Sequence, residues 1–380
     1  MPAVVGVGYS GFNANTPDLS WKELMFEAAV RAYEDAGIDP RRDVDSFVTC
    51  AEDFHEGFAI FDEFVPDQLG AVLKPTCTLC ADFLYGLATA YMQIESGLAN
   101  IAVVEAHSKA SDIKTFGEII RHGMDPIWLK GVTRAHPYYF AALEMSYYVN
   151  KYCINDKAIA EVVVKNKGNA ILNDSAPYGA KLTVEDVLNS QFVFYPMRKI
   201  EIAERADGAI VFVVASDEIA RKITDSPIWI KGIGWWSETS NYDTMSFEAL
   251  YAYKAGKMAY KMAGIEVPAR EIDIAEVDDR FAFKELQHIV ALQLANKYGV
   301  CDLMLEGYFS RNGSLPVNVS GGNLGVGNLL EATGGQKALE VVLQLRGDAG
   351  RRQIDNSEIG LAQSWRYIPT ASGAVAIFGV

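Results

Sequence analysis

The sequence predicts an α/β protein assembled from two similar halves, and three observations carry that prediction. Short apolar runs alternate with amphipathic helical ones. The order strand, glycine-stopped helix, second strand occurs twice. Each half then ends on an apolar strand rich in small residues.

The first copy opens on Val4-Val5-Gly6-Val7-Gly8-Tyr9 and the second on Ile230-Lys231-Gly232-Ile233-Gly234-Trp235. Both read as buried strands whose glycines permit close packing. In the first copy a helix starts at Ser20, with Glu23 placed to complete a capping box, and runs through Ala28, Ala29, Ala32 and Tyr33. In the second a helix starts near Ser246 and runs through Leu250, Ala255, Met258, Ala259 and Met262. Ala36-Gly37-Ile38-Asp39-Pro40 stops the first and Ala263-Gly264-Ile265-Glu266-Val267-Pro268 the second, glycine ending the helix and proline following. Second strands follow at Asp43–Val48 and Glu271–Val277. The closing strands Ala206–Phe212 and Ala371–Phe378 also match. The predicted halves are residues 1–225 and 226–380, and the stretch at about 115–200 has no counterpart in the second half. That insertion carries Tyr138, Tyr139 and Phe140 and two helical runs, Ala141–Tyr152 and Ala158–Leu172; it reads as a lid with ligand contacts or as a packing subdomain.

Bulk properties narrow the function classes. Half of the 380 residues are apolar and 22% are charged, which is globular composition with ample core. A net charge of −15 argues against a nucleic-acid binder. It still leaves room for a local basic pocket that takes a phosphate-bearing ligand such as CoA or a nucleotide. The five cysteines are irregularly spaced, and Cys77 and Cys80 form a CxxC without the second pair a zinc site needs. No metal is expected. The N-terminal apolar run is too short, and lacks the basic flank, for a signal peptide. No apolar run approaches the ~18 residues of a membrane span. A cytoplasmic protein is expected.

Three segments carry candidate chemistry. Cys80 precedes a helical pattern of Leu84, Leu87, Ala88, Tyr91 and Ile94. A cysteine at a helix N-terminus is a nucleophile candidate, because the dipole and free N–H groups favour its thiolate; a small buried core cysteine is the bland alternative. The glycine-rich run Asn318–Asn328 permits tight turns and close backbone approach, precedes a helical stretch at Gly335–Leu345, and lacks the lysine of a P-loop. Asp278 and Asp279 lie beyond the carboxyl end of a second-half strand, where ligands of open α/β sheets sit; they read as acid or base groups, or as ion-pair partners of Arg280. His107 ends an apolar strand and borders the same region on this reading, whereas His288 reads as structural or exposed.

Taken together, these blocks resemble the thiolase superfamily over nearly the whole chain. The resemblance is carried by Cys80-Ala81 leading to Tyr91–Gly97, by Val164–Ala170, Leu182–Leu188 and Ala206–Ala209, and by Asn318-Val319-Ser320-Gly321-Gly322. It implies a duplicated five-layer α/β fold with a cysteine nucleophile at a helix start. The departures bear on mechanism. Asp82-Phe83 stands where the family has Ser-Gly after Cys-Ala. Gly327-Asn328-Leu329 replaces Gly-His-Pro. Asp278-Asp279-Arg280-Phe281 replaces Asn-Glu-Ala-Phe or His-Asp-Cys-Phe, and no cysteine follows Cys301.

Within the superfamily the chain is similar to thiolases that work with a separate small zinc-ribbon/OB-fold acyl-CoA-binding subunit. The branch it most resembles includes the thiolase subunit of benzoylsuccinyl-CoA thiolase, of anaerobic toluene degradation. The resemblance implies a CoA-dependent acyltransferase acting on acyl-CoA substrates, with coenzyme A as substrate and no permanently bound cofactor, and a homodimer. Cys80 would be the acyl-carrying nucleophile. The N–H groups of Cys80 and Gly373 would form one oxyanion hole, and Asn328, with water or Asp278, would line a second. Ser320, Gly321 and Gly322 would approach the CoA. Without the family's histidine, thiolate formation would rely on the helix dipole, on hydrogen bonding by Asn328, or on a relocated base such as His107. The competing expectation, motivated by that histidine and the missing second cysteine, is a degenerate fold that binds acyl-CoA or scaffolds a partner.

Overall fold

The computed structural model describes residues 1–56, 61–125, 127, 136–239, 247–368 and 370–380. The helix start expected near Ser246 lies outside them; the helix itself is found at Leu250–Ala263.

Eleven strands are present among the described residues: β1 (Ala3–Asn13), β2 (Ser46–Cys50), β3 (Thr76–Leu79), β4 (Ile101–Lys109), β5 (Phe192–Phe194), β6 (Met197–Arg198), β7 (Asp207–Ala215), β8 (Ile228–Ser237), β9 (Ile274–Glu276), β10 (Ile359–Trp365) and β11 (Ser372–Gly379). Nine of them form one mixed sheet in the order β3-β2-β4-β7-β1-β8-β11-β10-β9, while β5 and β6 make a separate hairpin. First-half strands thus occupy one side of the sheet and second-half strands the other. They join only where Ala3 pairs with Trp229 and Val4 with Ile228.

The matched words in the sequence acquire matched structural roles. Helix Trp21–Ala36 has the expected capping box between Ser20 and Glu23 and ends at Gly37 in the left-handed conformation; Leu250–Ala263 ends likewise at Gly264. Each lies so close to its strand that no side chain fits between. A Cβ on Gly8 would meet the Ala28 carbonyl oxygen at 2.1 Å, and one on Gly232 would meet that of Ala259 at 2.1 Å. The second strands are shorter than expected because an aspartate ahead of each accepts backbone donors. Asp45 takes the N–H groups of Asn100 and Ile101 at 2.7 and 3.1 Å, and Asp273 those of Glu358 and Ile359 at 2.9 and 2.8 Å.

Helices cover both faces of the sheet. On one face the central helices Phe83–Glu95 and Thr333–Arg346 pack Leu84, Leu87, Val341 and Leu345 against Phe212, Ile230 and Phe378. On the other face, Ala28 and Ala32 pack on Val5 and Val213, and Ala255 and Ala259 on Val375 and Ile377. Two long helices of the first half span Tyr138–Tyr152 and Asp156–Ala170, the second starting early because Asn155 caps it. No helix of the described residues is long and apolar enough to cross a membrane.

Candidate active site

Two structural facts place Cys80 at a strand-to-helix turn on the sheet edge. Strand β3 runs parallel to β2, pairing Cys50 with Leu79, so Cys80 leaves the sheet at the carboxyl ends of both strands. The helix that follows begins only at Phe83, with Asp82 as its N-cap. Cys80 is exposed, in contrast to buried Cys50.

Asp82 explains why this turn is built as it is. Its carboxylate accepts from Leu84 N at 3.0 Å and from Gly334 N at 2.8 Å, so one side chain caps both central helices. There is no room for a larger arrangement, because a Cβ on Gly334 would touch Asp82 Oδ1 at 2.0 Å. Burial pushes the Asp82 carboxyl up to about 6, opposed by the neighbouring Ser364 hydroxyl and by its bonds to Leu84 N and Gly334 N.

The expected helix-stabilised thiolate is not what forms here. Partial desolvation raises the Cys80 thiol above its ordinary value, and the carboxylates of Glu52, Asp53 and Glu331 raise it further, with Arg366 opposing. The physical reason is position. The sulfur lies ahead of the cap, the Asp82 carboxylate sits on the Leu84 N–H of the helix's first turn, and a dipole acts only within that turn. Cys80 therefore starts as a thiol and needs a base.

Beside it runs a narrow cleft lined by Glu52, His55, Ala81, Asp82, Glu331 and Arg366, with Arg280, Leu330, Trp365 and Tyr367 completing the wall. His55 Nδ1 is 2.7 Å from Glu331 Oε1, and Arg366 Nε donates to Glu52 at 2.9 Å. Arg280 lies over the Tyr367 ring at 4.5 Å.

Several sequence expectations change. Asp278 is fully buried and holds Arg280 in a two-pronged pair at 3.0 and 2.7 Å. Burial works to raise its carboxyl, but the Arg280 guanidinium overcomes this and holds it below the ordinary range. It is a fixed anion, so the ion-pair alternative stands and the acid/base one does not. Asn328 is buried and lies two residues before the cleft residue Leu330 without itself reaching the wall; its Oδ1 accepts from Leu330 N at 3.2 Å, which leaves the Nδ2 amide as the group it can offer. Gly373 lies within β11, not in a loop. Glu238 N donates to Ala371 O, and antiparallel alternation two residues on aims the Gly373 N–H at Trp236. That N–H is spent on the ladder rather than an oxyanion hole. Glycine is needed there because a Cβ would meet the Ser364 carbonyl oxygen at 2.4 Å.

Ser320, Gly321 and Gly322 serve packing rather than a ligand. Ser320 binds Glu276 through N and Oγ at 3.0 and 2.6 Å. Gly321 has φ +104°, and a Cβ on it would strike Ala170 at 2.6 Å. His107 is buried between the rings of Trp21 and Phe61, with centroids 5.4 and 5.1 Å away, and is absent from the cleft wall. His288 is buried between Tyr251 Oη at 2.8 Å and the Asp278 carbonyl at 2.7 Å. Burial first, then the Lys284 charge, lowers it to about 3, so it stays neutral and structural. Asp279, the other member of the motif, is tied to Lys337 at 3.1 Å in a buried polar network.

Sequence reasoning missed Glu52, His55, Glu331 and Arg366. The strand-end rule that points to Asp278 beyond β9 applies equally to Glu52 and His55 beyond β2. No local signal joins them to Glu331 and Arg366. Among the described residues, no group of three or more His, Cys, Asp or Glu side chains is arranged to hold a metal.

Comparison with known proteins places this geometry among relatives. Residues 235–379 match the family model "Thiolase C-terminal domain-like". Acetyl-CoA acetyltransferase of Methanothermobacter thermautotrophicus is 30% identical over 373 residues, 95% of either chain. The 17-hydroxy-3-oxo-4-pregnene-20-carboxyl-CoA lyase of Mycobacterium tuberculosis is 25% identical over 91% of either chain. Among solved structures, a Ltp2–ChsH2(DUF35) aldolase superposes with a TM-score of 0.85 at 23% identity, covering all of this chain and 97% of that one. Human mitochondrial 3-ketoacyl-CoA thiolase superposes at 0.75 with 16% identity, covering all of this chain and 98% of that one.

Proposed function

The chain belongs to the thiolase superfamily and is an acyltransferase of the thiolase type, and from that premise we propose that it cleaves or forms a 3-oxoacyl-CoA through an acyl thioester on Cys80. The specific reaction proposed is 2-benzoylsuccinyl-CoA with CoA giving benzoyl-CoA and succinyl-CoA. The observation that carries the reading is the exposed Cys80 thiol at the carboxyl ends of β2 and β3, beside a cleft lined by ionisable groups.

In the cleavage direction the Cys80 proton passes to a base, and the sulfur attacks the keto carbon. The bond between the α and β carbons breaks, and its electron pair forms the enolate of the departing acyl-CoA. The enolate takes a proton at carbon, and the benzoyl group remains on Cys80. CoA sulfur then attacks that thioester, gives its own proton to the base, and releases Cys80. The Cys80 N–H serves a tetrahedral intermediate, and Asn328 Nδ2, carried by the segment that also supplies the cleft residue Leu330, is the proposed donor to a substrate oxygen as charge develops there. Asn328 cannot move protons near neutral pH, so its role is polarisation alone.

The aromatic acyl group is supported by an aromatic cluster behind the cleft residue Tyr367. Tyr138 of the insertion meets Phe281 edge-on at 5.5 Å, and Phe281 stacks on the cleft residue Tyr367 at 5.9 Å. Such a cluster favours offset and edge contacts with a further ring. A homodimer and a small zinc-ribbon/OB-fold acyl-CoA-binding subunit are proposed partners. The second is supported by the structural neighbour, an aldolase whose name pairs Ltp2 with ChsH2(DUF35).

A second reading is favoured by the raised Cys80 thiol: carbon–carbon cleavage of the aldol type, as the lyase relative's name describes for that protein. One experiment separates the two. Purified protein, with and without the partner subunit, is incubated with benzoyl-CoA and with succinyl-CoA, and Cys80 is followed by intact mass and peptide mapping. Benzoyl-Cys80 supports the thiolase reaction; unmodified Cys80 with full turnover in Cys80→Ala selects the aldol reading. Neither turnover nor acylation leaves a scaffold that binds acyl-CoA.

A further inference from the structure

We propose that His55, held by Glu331, is the base that takes the Cys80 proton, in place of the histidine that Asn328 has displaced. This inference rests on the thiolase reading above, and it adds a catalytic base that the superfamily resemblance does not supply.

His55 and Glu331 come from opposite halves of the chain and meet on the wall of the cleft that also exposes Ala81 and Asp82, the residues after Cys80. The 2.7 Å contact from Nδ1 to Glu331 Oε1 fixes the ring's tautomer. With Nδ1–H donated to the carboxylate, Nε2 is the nitrogen that accepts a proton. Both side chains are over nine-tenths buried, at 7% and 6% exposure. A carboxylate in that setting stabilises the imidazolium that proton transfer creates.

Glu331 itself has no better structural explanation. Its second oxygen, Oε2, is buried and lacks a hydrogen-bond partner among the described residues. A half-satisfied buried carboxylate is costly, and sites that retain such a cost tend to be functional. The field around the sulfur points the same way. Glu52, Asp53 and Glu331 surround Cys80 with negative charge, and Arg366 opposes them. Protonated His55 adds a further cation, and it sits beside both Glu331 and Glu52. That imidazolium offsets the field that otherwise keeps the sulfur protonated. In balance, the S–H bond breaks and the proton moves to Nε2 of His55. The same proton then serves the departing enolate, and the base is regenerated before CoA delivers its thiol proton.

The test needs no substrate. Cys80 alkylation by iodoacetamide is followed against pH by peptide mass spectrometry, in wild type, His55→Gln, His55→Ala and Glu331→Gln. Wild-type Cys80 is expected to react at least ~10²-fold faster near neutral pH than either His55 variant, as removal of a general base predicts. Glu331→Gln is expected to shift the pH midpoint, and added imidazole should accelerate His55→Ala but not wild type. A merely structural His55 would not give imidazole rescue. Identical pH profiles in wild type and both His55 variants would overturn the proposal. Should a His55 variant fold poorly, Glu331→Gln carries the same decision through its midpoint. His55-dependent alkylation without any acyl-Cys80 would sink the thiolase reading and leave the base assignment standing.

Discussion

Replacing Arg280 by methionine isolates the ion pair that sits behind the cleft. The guanidinium makes two contacts to Asp278, at 3.0 and 2.7 Å, donates to the Trp365 carbonyl, and covers the Tyr367 ring. Asp278 is 0% exposed, so the substitution leaves a carboxylate with no water to solvate it. Breaking a buried pair from one side costs about 3–5 kcal/mol. The double variant Asp278→Asn/Arg280→Met removes the orphaned charge and should recover about half of that loss. The pH dependence gives the sharper signature. In wild type Arg280 holds the Asp278 carboxyl below its ordinary value, so its contribution is present above that value and lost as pH falls through the lower one. In Arg280→Met burial stays and the guanidinium is gone, so the carboxyl rises and the folded state favours the protonated form more than in wild type, with the backbone N–H groups of Arg280 and Trp365 still donating to it. Stability of the single variant then falls as pH rises, and the gap to wild type widens from about pH 4 to about pH 7. Urea unfolding across that range measures both. A loss under about 1 kcal/mol, or a gap that does not change with pH, would refute the buried-pair account and reopen Asp278 as a titrating group.

Other consequences are independent of that pair. Asp82 is raised to about 6 by burial, so it costs stability as pH climbs from about 4 to about 6, by up to about 3 kcal/mol. Asp82→Asn should abolish that slope in thermal or urea unfolding while losing some capping energy at low pH; parallel slopes in the two proteins would contradict it. Gly321→Ala should cost about 2–4 kcal/mol, from a left-handed φ and a methyl driven into Ala170, yet leave the pH profile of Cys80 alkylation unchanged. A shifted profile would return that loop to the ligand site.

The architecture was legible because each half repeats the same close-packing solution. Gly6 and Gly8, and Gly232 and Gly234, admit a helix at backbone contact, and Gly37 and Gly264 end those helices. These are local devices, and local devices leave sequence patterns. The place of Cys80 just ahead of an amphipathic helix was legible for the same reason. The rest of the cleft was not. His55 leaves β2, Glu331 precedes a central helix, and Arg366 follows β10; only the parallel pairing of β2 with β3 and the packing of the central helices bring them together. Where the sequence misled, a glycine or an acid served the fold instead. Gly373 clears the Ser364 carbonyl, Gly321 clears Ala170, and Asp278 holds an arginine two residues away. The helix-dipole expectation failed because Cys80 lies ahead of the cap and Asp82, standing where the resembled family has serine, accepts the Leu84 N–H of that helix's first turn.

The most direct measurement is the mass of the Cys80 peptide after brief exposure to benzoyl-CoA and acid quench, with Cys153 as the internal control because it too is exposed. The account predicts a benzoyl adduct on the Cys80 peptide alone, discharged when free CoA is added before the quench. An unmodified Cys80 peptide in protein that turns over the substrate, or a Cys153 adduct of equal yield, would contradict it.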